Sequence, residues 1–293
     1  MAQGICKLCG TAAELEVSHF IPRFVGKWIK KTSITGFIRE HNDPAKREQD
    51  TAKEHWLCRD CESLFSKWET EFANTVFFPF VDNGQSIASY GPWMPKFCAS
   101  LSWRTLTYIR SINPSNDQPD DYYRALAAAE SHLRNFLLGR VENLDEFEQH
   151  LFPLEQIEST TVQDLPANMN RYFLRTIAMD IIGNTTDIFV FTKIPSFMLL
   201  GLVKAKEPKK LRASRIAMKS GKVSPRRYWW PNGFANYVVE KANEVSAAYQ
   251  RIPQKDLDKF EDYIRRNPEK AANSKLFKAF LHDYEQFGEK AFR

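Results

Sequence analysis

Four of the five cysteines in this 293-residue chain fall into two CxxC pairs, Cys6-Lys7-Leu8-Cys9 and Cys58-Arg59-Asp60-Cys61. A two-residue spacer lets one tight turn aim both sulfurs at the same ion, and two such turns supply the four thiolates of a closed tetrahedral zinc site. Four protein ligands leave no open coordination position, so zinc here is structural and any chemistry sits beside it. The chain starts at a plain Met-Ala-Gln-Gly and carries no apolar signal segment, which argues against disulfides and for a cytoplasmic location. Cys98, in Phe97-Cys98-Ala99-Ser100, is expected as a free buried thiol.

A composition of 43% hydrophobic and 26% charged residues is that of an ordinary globular protein, and the length favours about two domains. No apolar run approaches the ~18 residues of a membrane helix. Neither a Gly-x-x-x-x-Gly-Lys phosphate loop nor a G-x-S-x-G nucleophile turn occurs, so an ATP-driven activity would need another chain. The formal net charge of +5 is unevenly spread: residues 1–92 hold 11 Lys/Arg against 12 Asp/Glu. Residues 204–227 hold ten basic side chains and a single acid, Glu207.

Alternation in Ala13-Glu14-Leu15-Glu16-Val17-Ser18-His19 predicts a strand with Leu15, Val17 and His19 on one face and Glu14, Glu16 and Ser18 on the other. Further strands are expected at Thr35 to Arg39 and Glu54 to Leu57, with a turn at His41-Asn42-Asp43-Pro44. After Cys61 the period changes, and Phe65, Trp68, Phe72 and Val76 mark an amphipathic helix. Glu62 and Glu69 lie at nearly one azimuth on it, about 10 Å apart along the axis, which favours Glu62 for a site beside the second knuckle.

Downstream, helices are expected at Ala99 to Ile109, Asp120 to Leu138 and Tyr172 to Ile182, and strands at Asp187 to Lys193, Phe197 to Val203 and Ser214 to Met218. Three C-terminal helices follow, starting near Phe234, Pro253 and Leu276.

Two CxxC pairs enclosing short strands, the His19-Phe20-Ile21-Pro22 string ending the first of them, and Leu57-Cys58-x-x-Cys61 opening a helix resemble the HNH endonucleases of the CxxC-containing ββα-metal type. The resemblance covers about residues 4–80. It implies that His19 is the general base activating water and that a divalent ion, Mg²⁺ or Mn²⁺, acts beside it. The family carries an acid or His where this chain has Ser18, an Asn where it has Lys53, and often a His where it has Glu62. Glu62 is then a candidate catalytic residue and ligand for the divalent ion, since a carboxylate suits hard cations. Asp50, Glu54 and His55 are alternatives for the missing ligand.

The expected architecture is α+β: a small zinc-stabilised, HNH-like ββα-metal domain at 1–80, a linker at 81–92, and a mainly helical domain at 93–293 with a few antiparallel strands. The expected function is divalent-metal-dependent hydrolysis of DNA phosphodiester bonds. Such modules occur in restriction, mobile-element and anti-phage systems, where a partner subunit can act as ATPase or sensor. The basic side chains Lys204, Lys206, Lys209, Lys210, Arg212, Arg215, Lys219, Lys222, Arg226 and Arg227, followed by Tyr228-Trp229-Trp230, combine phosphate-neutralising charge with stacking surface and are expected to bind nucleic acid. The alternative from a different class is a non-catalytic zinc-finger module, with a degenerate HNH domain, that binds DNA or anchors an assembly.

Overall fold

The computed structural model describes residues 2–39, 46–114, 117–160, 164–224 and 226–292. The chain opens with β1 (Ala2–Ile5) and β2 (Ala12–His19), helix α1 (Arg23–Thr32), the two-residue strands β3 (Ile38–Arg39) and β4 (Arg47–Glu48), and β5 (Lys53–Cys58). Helix α2 (Arg59–Phe72) continues through a π-helical turn (Ala73–Phe77) into α3 (Phe78–Asn83), before β6 (Ala88–Tyr90), α4 (Trp93–Ile112) and α5 (Asp120–Leu137). Next come β7 (Gln149–Pro153), α6 (Met169–Arg175), β8 (Ala178–Gly183), β9 (Ile188–Ile194), β10 (Phe197–Lys204) and β11 (Gly221–Val223). Helices α7 (Phe234–Gln250), α8 (Gln254–Arg266), α9 (Pro268–Asn273) and α10 (Lys275–Phe287) close the chain. The fold is thus mixed helix and sheet, and every strand pairing among the described residues is antiparallel. None of the described helices is long and apolar enough to cross a membrane.

Two compact units are each assembled from three chain segments. The first comprises Met1–Pro22, Ala52–Pro153 and Ile177–Trp229, and so contains both CxxC pairs and the basic stretch. Its two main sheets run in the orders β1-β2-β5 and β7-β10-β9-β8. All residues of β7 and β9 are buried, as expected of strands packed on both faces. Helix α4 lies on this sheet through buried polar contacts as well as apolar ones. Ser102 Oγ donates to Gln149 Oε1 at 2.6 Å, and Thr105 and Thr192 share a hydroxyl hydrogen bond of 2.7 Å. Gly201 is required under α4, because a Cβ there would collide with the Ser102 side chain.

One apolar core joins Cys6, Leu8, Trp56, Leu57 and Phe65 to Trp103 and Leu106 of α4 and Leu126, Leu133 and Phe136 of α5. Trp103 is fully buried, with its ring centroid 5.1 Å from Trp56 and 6.0 Å from Phe65. Complete burial of such a side chain stabilises by on the order of 2–3 kcal/mol, an upper figure because the unfolded chain already hides some of it. The stretch 81–92 holds the end of α3 and strand β6.

The second unit comprises Arg23–Thr51, Leu154–Thr176 and Trp230–Arg293. Its core is tied by two buried charges. Asp283 of α10 caps the start of α6, accepting from the main-chain N–H of Asn170 (2.7 Å) and Arg171 (3.2 Å) and from Arg171 Nε (2.7 Å). Arg175, lying over the Trp28 ring, donates to Thr32 Oγ1 and to the carbonyl of Ile29 at the end of α1.

Several expectations need correction. Residues 172–182 are not one helix: α6 stops at Arg175, and 178–183 form β8, because pairing with β9 overrides local helical pattern. Residues 214–218 form no strand but a single bridge, His150 to Arg215, after a 3-10 turn at Pro208–Ala213. The predicted facing of β2 is reversed at its end, since Ser18 is 1% exposed and Val17 44%. A register shift between Glu16 and Val17, opposite Trp56, is the cause. The strand expected from Thr35 is confined to β3, and the turn expected at 41–44 lies outside the described residues.

Candidate functional site

The first knuckle is the turn between β1 and β2. The main-chain N–H of Gly10 closes on the Cys6 carbonyl at 2.9 Å, and Gly10 takes the left-handed conformation (φ 81°) that this reversal requires. The second knuckle is the junction of β5 and α2, with Cys58 at the N-cap and Cys61 in the first helical turn. Pairing of Leu15 with Cys58 across β2 and β5 brings the two knuckles together.

The four sulfurs lie within 4.8 Å of one another. A tetrahedral zinc with Zn–S of about 2.3 Å has S···S edges of about 3.8 Å, and Cys9 and Cys58 sulfurs are 3.8 Å apart. That spacing is far beyond the ~2.05 Å of a disulfide. Cysteines 6, 9, 58 and 61 are therefore positioned to bind a metal ion, consistent with structural zinc. Burial pushes the Cys9 thiol up, but hydrogen bonds with Thr11, Cys6 and Cys58 outweigh it and bring it down to about 6. Burial and the neighbouring cysteines push Cys61 up, and burial raises Cys58 as well. A dication among the sulfurs reverses that penalty on the thiolates. Cys98 is fully buried, as expected, and burial alone raises its thiol.

Beside the knuckles, four positions singled out by the resemblance lie at the end of β2 or against it. Ser18 Oγ donates to Glu62 Oε2 at 2.8 Å. Lys53 is the register partner of His19 across β2 and β5. His19 itself is half-buried, followed by Phe20, which stacks on Tyr108 at 4.0 Å and meets Trp56 edge-on at 4.8 Å. The main-chain N–H of Phe20 is held by the carbonyl of Ala52 at 3.1 Å. Glu54 is opposite Ser18 and exposed, while His55 Nδ1 is held 3.0 Å from the Leu15 carbonyl. Asp50 belongs to the second compact unit.

Arg104 is not visible in the periodicity, and neither is the pairing that it gives Glu69. Glu69 of α2 is paired with Arg104 of α4 at 2.7 Å, and the same Nη1 atom donates to the main-chain carbonyl of His19 at 2.9 Å. Burial raises the Glu69 carboxyl, Arg104 opposes that shift, Glu62 adds to it and His19 opposes it. Both helix carboxylates thus reach the end of β2, Glu62 directly and Glu69 through Arg104. The available signal is that Arg104 is the one charge in the run Phe97 to Ile109. Among the described residues, the four cysteines are the one gathered group of three or more His, Cys, Asp or Glu ligand atoms.

The ten basic side chains of 204–227 are all exposed. They are mounted on a segment anchored from beneath by buried Leu211, Ser214, Ile216 and Val223. The main chain is also held: Ile216 N–H donates to Gln149 at 2.8 Å, Leu151 N–H to Ser214 at 2.9 Å, and His150 contacts the Leu211 carbonyl. Lys210 pairs with Glu207 and sits over the Trp229 ring, and Arg215 pairs with Glu148. Among the described residues Lys206, Lys209, Arg212, Lys219, Lys222, Arg226 and Arg227 form no ion pair.

No family model, characterised protein or solved structure matches this chain.

Proposed function

We propose that the first unit is a zinc-stabilised nuclease of the ββα-metal kind, hydrolysing DNA phosphodiester bonds at the end of β2. The observation that supports this reading is the 2.8 Å hydrogen bond between Ser18 and Glu62, the two positions at which the resembled family carries metal ligands. Antiparallel β2 and β5 leading into α2 have the element order that the reading needs. In this reading the Cys6, Cys9, Cys58 and Cys61 thiolates hold zinc and fix the strands against the helix.

A carboxylate suits Mg²⁺ or Mn²⁺, which keep several waters and take further oxygens from a substrate phosphate. A bound divalent ion supplies charge stabilisation on the scissile phosphate. Glu62 provides the anionic oxygen and Ser18 orients it. His19 accepts a proton from the attacking water at its imidazole, the side-chain type most often used as a general base. The anchored basic segment binds the DNA backbone, neutralising phosphates without reading bases.

The test is conversion of supercoiled plasmid to nicked and linear forms with Mg²⁺ or Mn²⁺. Wild type cuts, chelation of the divalent ion stops it, and Glu62→Gln loses it at equal zinc content. A Glu62→Gln protein that cuts as well as wild type contradicts the assignment. The second reading, a non-catalytic zinc module that binds DNA or a partner, is favoured by the Glu69–Arg104 pair, which neutralises one of the two helix carboxylates.

A further inference from the structure

We propose that Arg104 is the positioning residue of this site, holding the main chain of His19 and the carboxylate of Glu69 in one fixed arrangement. The inference rests on the nuclease reading. Arg104 is 2% exposed and lies in the middle of α4, 85 positions from His19. Its Nη1 donates at once to Glu69 Oε1 (2.7 Å) and to the His19 carbonyl (2.9 Å). The side chain is also fixed by Nε to the Ser100 carbonyl at 3.2 Å, and its guanidinium lies 5.2 Å from the Phe65 ring centre.

The last residue of β2 is thereby gripped from two sides. Lys53 holds it in strand register, and the guanidinium holds its carbonyl, just before the chain turns at Phe20. An imidazole carried on that residue inherits its place from these bonds. Glu69 in turn interacts electrostatically with both His19 and Glu62, and Arg104 opposes the rise that burial imposes on its carboxyl. A buried guanidinium paired with a half-buried carboxylate stabilises little compared with apolar side chains of the same size. Its value lies in geometry: Nη1 serves the carboxylate and the carbonyl together while Nε holds the Ser100 carbonyl, and a lysine ammonium has no second nitrogen for that third bond.

The experiment compares wild type, Arg104→Met, Arg104→Lys and the double variant Arg104→Met/Glu69→Gln. Plasmid cleavage kinetics, zinc content and melting temperature are read for each. The expected result is a fall of about 100-fold in kcat for Arg104→Met, the scale of a displaced reacting group, with KM for DNA and zinc unchanged, and partial recovery in Arg104→Lys. The double variant removes both charges of the pair, so it regains the melting temperature lost by Arg104→Met and still lacks the kcat. Recovery of kcat along with the melting temperature would overturn the proposal and leave a purely structural pair.

Should wild type and His19→Ala both fail to cut, the nuclease reading falls by itself. Positioning is then decided by the imidazole resonances of His19 in the full-length protein. Displacement of these in the double variant, with those of His132 and His282 unmoved, supports it, and wild-type positions for all three overturn it.

Discussion

The hydroxyl of Ser18, the penultimate residue of β2, donates to Glu62 Oε2 over 2.8 Å, although 44 positions separate the two residues. The bond ties the end of β2 to the first turn of α2, one helical turn beyond Cys58 of the gathered cysteine group. An acid in this first turn is also favoured by the helix dipole, so Glu62 is held by the helix and aimed by the serine.

Ser18→Ala should therefore leave Glu62 in place and loosen its aim. Hydrogen-bond partners of metal-ligating carboxylates typically matter by about 10-fold or more in affinity or activity. The Mn²⁺ concentration for half-maximal cleavage is expected to rise by about that factor, with melting temperature nearly unchanged. Titrating Mn²⁺ into cleavage reactions of both proteins checks it, and an unchanged half-maximal concentration counts against Ser18 as Glu62's orienting partner.

Cys58→Ser should lose zinc and destabilise the first unit, because binding energy at a structural zinc is part of the folding energy. Cys98→Ser should keep a full zinc complement, since Cys98 is outside the gathered group. Metal analysis alongside thermal melting separates the two. Retention of zinc and of the wild-type melting curve by Cys58→Ser would defeat the assignment of the knuckles.

Reversing charge at Lys209, Lys210 and Arg212 is expected to weaken DNA binding without unfolding the chain, because all three are exposed. The slope of log affinity against log salt should flatten by about 2 to 3 units, near 0.9 for each phosphate that is no longer neutralised. Lys210 is already engaged by Glu207 and Trp229, so Lys209 and Arg212 should carry most of the effect. Fluorescence anisotropy across a salt series measures it, and an unchanged slope removes the segment from the interface.

Lys193 on β9 is fully buried, and burial holds its ammonium well below the ordinary lysine range. A base depressed in the folded state binds fewer protons there than when unfolded. Stability therefore rises with pH between the folded pKa and the ordinary lysine value of 10.5, and is lost as pH falls through that window. Lys193→Met lacks this slope. It should melt above wild type at neutral pH, with the gap closing towards pH 10.5. Melting curves at several pH values test this, and a constant gap would contradict it.

The four gathered cysteines are legible in the sequence because their signal is local: two residues between each pair of cysteines suffice to shape a knuckle. Phe65, Trp68 and Phe72 similarly announce α2 by their spacing. The facing of Ser18 is not legible, because the register shift opposite Trp56 interrupts the alternation on which a strand is read. Nor is the role of Arg104, whose partners Glu69 and His19 are 35 and 85 positions away. Residues 178–183 mislead for a related reason, since their apolar pattern fits a helix until pairing with β9 decides otherwise.

The most direct measurement is cleavage of supercoiled plasmid and of single-stranded DNA by wild type and His19→Ala, matched for zinc content, in Mg²⁺ and in Mn²⁺. Loss of cutting by at least about 100-fold in His19→Ala, with zinc, melting temperature and DNA affinity retained, is the predicted outcome. Equal cutting by the two proteins, or no cutting by wild type on either substrate with either ion, would contradict it.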